Sequence, residues 1–159
     1  KSSINQGTNS VGTGWSLAVL GTDVVNNNAT ANTLQDVTGL SFPVVAGTRY
    51  RFRFNIIYSA AAITTGSRWS ISGPSSPTFL AYRSDYTLVY NQRTVNELVA
   101  YDLPTTCNAS SAYTTGNIAA IDGLITPAAS GIVIARFASE IASSAITAKA
   151  GSSVEYIVL

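Results

Sequence analysis

Residues 50–58 read Tyr-Arg-Phe-Arg-Phe-Asn-Ile-Ile-Tyr, and no other run limits the fold as much. Successive side chains of a strand point to opposite faces, so Tyr50, Phe52, Phe54, Ile56 and Tyr58 share one side and Arg51, Arg53, Asn55 and Ile57 the other. Small residues then lead to Thr65-Gly66, and a second short strand, Arg68–Ser72, ends at Gly73-Pro74. An aromatic face opposed to an arginine-bearing one is the pattern of a half-buried strand.

The remaining chain repeats this grammar. Strands are predicted at Phe79–Tyr82, Tyr86–Tyr90, Val95–Tyr101, Ile118–Ile125, Gly131–Ser139, Ala145–Ala148 and Ser153–Leu159, with Gly, Pro, Ser and Asn between them. Upstream, Leu34–Val44 carries apolar points broken by an expected turn at Thr38-Gly39, and Pro43 marks an edge strand or a strand end because proline gives no ladder donor. Many short strands with frequent turn signals indicate an all-β sandwich or barrel. No segment has helical periodicity and no internal repeat is apparent. Residues 1–33, rich in Ser, Asn, Gly and Thr, read either as an extended arm that orders against something else or as a first strand with a long loop. The sandwich domain is placed at 34–159.

Composition narrows what such a domain contacts. Charged residues make up 11% of the chain and the net charge is +1, while 20 Ser, 18 Thr and 11 Asn supply the polarity. A surface of that kind is hydrogen-bonding and weakly repelled by its own copies, which favours association. Nucleic acid and anionic membrane call for clustered positive charge and are not expected as partners. No run reaches the ~18 apolar residues of a spanning helix. A lone cysteine, Cys107, excludes an intrachain disulfide and is expected to be a buried or inert thiol. The chain starts at Lys1 and has no methionine, so an N-terminal portion is expected to precede it.

Catalytic patterns are missing. Histidine is absent, which removes the commonest general base and metal ligand. The eight carboxylates show no calcium-loop spacing, and Glu97, Asp102, Asp122 and Glu140 are the residues from which a glycosidase-like pair would have to assemble. "VGTGWS" at Val11–Ser16 has neither the strand before it nor the helix after it that a phosphate loop needs. The expectation is a non-enzyme with no cofactor and no metal. Arg49, Arg51 and Arg53 project from one side of the sheet and form a solvated face, a contact with another subunit, or an anionic-glycan site. Trp69 is a core residue or part of such a ligand surface, and Trp15 is a candidate docking anchor.

Three stretches resemble a module of tailed-bacteriophage virion proteins: Leu40–Phe54 (LSFPVVAGTRYRFRF), Thr64–Pro74 (TTGSRWSISGP) and Arg136–Ser152 (RFASEIASSAITAKAGS). The resemblance implies a jelly-roll-like antiparallel β-sandwich located in the virion. It also implies a homotrimer contacting other virion proteins, as a tail-fibre, minor-tail or capsid-decoration module, with a receptor-binding module for host-surface glycan as the alternative. It carries over Gly66, Gly73 and Gly151 as turn glycines and no catalytic residue.

Overall fold

A computed structural model describes residues 14–159. It is built of eleven strands: β1 (Ser16–Val19), β2 (Val24–Asn26), β3 (Gln35–Val44), β4 (Tyr50–Ala60), β5 (Ser67–Ser72), β6 (Phe79–Val89), β7 (Gln92–Leu98), β8 (Asn117–Thr126), β9 (Gly131–Ser139), β10 (Ile146–Ala148) and β11 (Ser153–Val158). All pairings are antiparallel.

The pairing is nested. β1 joins β11, β2 joins β10, β3 joins β9 and β4 joins β8, so the chain is one long hairpin wound into two layers. The larger sheet runs β1-β11-β4-β8-β6-β7, with β10 and β2 continuing beside β4; the smaller is β3-β9-β5. Beyond β5, the loop returning from β7 lies along the strand, with Asp102 N–H bonded to Ile71 O and Asn108 N–H to Ser67 O. This is the jelly-roll arrangement, with the β6–β7 hairpin added at the β8 edge.

The alternation of β4 decides where the core lies. Tyr50, Phe52, Phe54, Ile56 and Tyr58 are all buried against the smaller sheet. Phe42 of β3 meets Tyr50, Phe52 and Phe54 at centroid distances of 6.0, 5.7 and 6.1 Å and stacks on Tyr156 at 4.8 Å. Buried polar groups are bonded, as they must be to offset desolvation: Asn26 Nδ2 donates to Phe137 O and Thr33 O, and Asn117 links Tyr58 O, Tyr113 O and the Thr87 hydroxyl.

Three local expectations change. The turn at Thr38-Gly39 is a bulge inside a continuous β3. Gly39 takes φ +98°, the register slips between Asp36 and Ser41, and the inward set passes from Val37 to Leu40, Phe42 and Val44. Three extra residues on β3 relative to β9, an odd number, thus keep both halves facing the core. Pro43 does sit on an edge strand, since β3 ends the smaller sheet. The strands expected at 79–82 and 86–90 are one strand, because Ser84 is buried and donates to Trp69 O at 2.5 Å. Within the 1–33 segment, residues 1–13 lie outside those described; β1 and β2 are integral to the large sheet.

Candidate interaction surface

The outward face of the large sheet is set by the same alternation that fills the core. Directly paired residues of an antiparallel ladder share a face. In one row across the sheet, Glu155 pairs with Arg53, Arg53 with Asp122, Asp122 with Arg83, and Arg83 with Glu97. Five adjacent strands therefore present charges in the order minus, plus, minus, plus, minus. Arg53 reaches Glu155 at 3.4 Å and Arg83 reaches Asp122 at 3.5 Å, while Arg93 binds Asp85 at 2.6 Å just beside the row. Pairs this exposed contribute about 0–1 kcal/mol each to folding.

Apolar side chains flank the charges. Trp15, Leu17, Val19, Ile57, Ile118, Val95 and Val99 are all exposed. Between β8, β6 and β7 the face dips into a shallow, open depression lined by Ala81, Arg83, Glu97, Val99, Asp122 and Gly123.

The three arginines do occupy one side. Arg51 and Arg53 project from β4. Arg49, just before the strand, lies over the Phe79 ring at 5.6 Å and donates from Nε to Thr126 Oγ1 at 3.2 Å. Arg53 also stands 5.9 Å from the Trp15 ring centre. Among the described residues Arg49, Arg51 and Glu97 form no ion pair, and Arg49 is held instead by Thr126 and the Phe79 ring.

Trp69 does not belong to any surface. It is fully buried, stacked 4.9 Å from Phe137 and 4.8 Å from Tyr58, with its indole N–H on Ser67 Oγ. The reason is position: β5 is roofed by the large sheet, and an indole facing that way fills the core. Tyr82 and Tyr86 are buried as well, and burial raises both phenols, Tyr82 to about 12.

The four acidic candidates fall in three places: Asp122 and Glu97 both line the depression, while Asp102 and Glu140 lie elsewhere. Asp102 binds Arg136 at 2.9 Å, Glu140 accepts the Gly66 N–H at 2.9 Å, and Arg83 stands in register between Asp122 and Glu97. The described residues hold no cluster of three or more metal-ligating side chains. Val11–Thr13 of the "VGTGWS" stretch lie outside the described residues. Cys107 is partly buried, and burial pushes its thiol up to about 11.

The charge row was not legible in the sequence, because its members come from five separated strands. Arg68 was also missed as more than a neighbour of Trp69. It is buried, and its guanidinium donates to Asn32 Oδ1 and O, Asp102 O and Pro104 O, tying the β7–β8 loop to β5.

No protein-family model matches the chain, and no curated protein does. Among solved structures, the chain is similar to that of the infectious bursal disease virus Gx strain, at 8% identity and a TM-score of 0.30 over 92% of this chain and 41% of that one. A second similarity is to the infectious bursal disease virus VP2 subviral particle, at 9% identity and a TM-score of 0.28 over 94% and 42%. The chain spans less than half the length of either, and likenesses at this level assign no function.

Proposed function

We propose that the protein is a structural module of a virus particle, acting through protein–protein contacts rather than catalysis. The observation that carries this reading is the outward face of the large sheet, where an alternating charge row is set among exposed apolar side chains. Such a face matches a packed partner better than it matches water. The sequence resemblance to tailed-phage virion modules supports the same role and narrows it to a tail-fibre, minor-tail or capsid-decoration module, assembled as a homotrimer. The jelly-roll layout is compatible with it, since that fold recurs in capsid and lectin domains, but fold alone does not decide function.

The direct test is mass spectrometry of purified particles from the source of the sequence. The tryptic peptide Phe54–Arg68 (FNIIYSAAAITTGSR) is expected at a copy number in fixed proportion to the shell or tail proteins. Its absence from particles, while the chain is present in the producing cell, refutes the reading.

A further inference from the structure

Two charges of the outward face that form no ion pair among the described residues, Arg51 on β4 and Glu97 on β7, lie three strand spacings apart, about 14 Å, and do not meet within one copy. We infer that they meet between copies: the face packs on a second copy of itself about a two-fold axis parallel to the strands and passing between β8 and β6. This deepens the reading above, on which it rests for the premise that copies associate.

The register fixes what such an axis does. It turns Asp122 onto the second copy's Arg83 and Arg53 onto the second copy's Glu97, each contact occurring twice, as an isologous interface requires. Arg51 lies two residues along β4 from Arg53 and on the same face, so the second copy's Glu97 falls between two guanidinium groups. In the row containing Arg51, Leu124 lands on the second copy's Ala81. The depression beside Glu97 is then the seat for the arginine stems of the other copy.

An axis through Asp122 itself would set like charge on like, because the row is a palindrome of sign. Displacement by half a strand spacing sets Arg53, Asp122, Arg83 and Glu97 each opposite an unlike charge and leaves Glu155 outside the contact. Four strands of each copy, β4, β8, β6 and β7, oppose one another about this axis over about seven residues, roughly 450 Å² in projection and about 900 Å² for the two copies, the scale of a weak, reversible contact.

The test is the solution mass of the full chain by light scattering over a concentration series, for wild type, Glu97→Arg, Arg51→Glu and the charge-swapped double variant. Wild type is expected at an even multiple of 16.6 kDa, two or six copies. Each single variant halves that mass, with the two-fold contact weakened about tenfold or more, and the double variant recovers it in part, because the 51–97 pair is restored in exchanged form while Arg53 then faces a like charge at position 97. Both positions are exposed, so unchanged circular dichroism confirms folded variants. A wild-type trimer, or single variants that leave the mass unchanged, overturns the two-fold contact and leaves the virion reading standing. A strictly monomeric wild type overturns the two-fold contact and the proposed assembly, while particle mass spectrometry still reports on the virion role.

Discussion

The guanidinium carbon of Arg53 stands 5.9 Å from the centre of the Trp15 ring, so the indole flanks the charge row at its β1 end. Trp15 is 45% exposed and Trp69 not at all, which makes the two indoles distinguishable in solution. Replacing Trp15 by Phe is expected to leave only the blue-shifted emission of Trp69, with iodide quenching nearly abolished. Stability should fall by about 1 kcal/mol or less, the scale of an exposed cation–π contact. Strong residual quenching would show that Trp69 is not enclosed between the sheets.

Arg68 carries a heavier structural load. Its guanidinium is bonded to neutral oxygens of Asn32 and the 102–104 backbone, with no carboxylate among them. Arg68→Met removes these bonds and leaves partly buried acceptors unmatched, at a cost of about 1–3 kcal/mol. Limited proteolysis is expected to move into the 99–111 loop. A variant with the wild-type denaturation midpoint and the same cleavage pattern would contradict this anchoring role.

Asp23 has a pH signature. Its carboxylate accepts a 2.6 Å bond from Lys149 Nζ and a second from the Ala150 N–H, which hold its pKa below the ordinary 3.8. A pKa depressed on folding contributes stability above the unfolded value that is lost as pH falls through the folded one. The contribution is therefore complete at neutral pH and fades only below about pH 4. Carboxyl NMR should find a midpoint under 3.8 that rises when Lys149 is changed to Met.

Cys107 is expected to be nearly silent. With its thiol pushed up to about 11, the thiolate fraction at pH 8 is on the order of a thousandth, against roughly a quarter for a free cysteine. Iodoacetamide labelling at pH 8 should run about a hundredfold slower in native buffer than in denaturant. Comparable rates would mean that the 99–111 loop is open.

How much of this could be read from the sequence depended on whether the information was local. The β4 alternation needs only its own nine residues, and the inward aromatic face follows from it. The Ser139 end of β9 and the edge position of Pro43 were legible for the same reason. By contrast, Asn26 lies in a polar run that reads as turn, yet it is buried because its amide satisfies Phe137 O from 111 residues away. Arg83-Ser84-Asp85 reads as a break between strands, until the partners on β8 and β7 are known. The charge row is of this second kind. Arg53 and Glu155 are 102 residues apart, and nothing near either one announces the other.

The nested pairing has a kinetic side. Contacts between β4 and β8 join residues 59 to 75 apart, those between β4 and β11 residues 98 to 108 apart, and the Asp23–Lys149 bond residues 126 apart. Each pair, once closed, shortens the effective loop for the next one outward, so the entropic charge for the widest spans falls if the inner pair forms first. The chain is thus laid out to zip from β4·β8 towards β1·β11, slowly, as non-local topologies do. The face that carries the charge row is completed only when β11 arrives beside β4, so a partly folded copy lacks a finished surface to offer its neighbours.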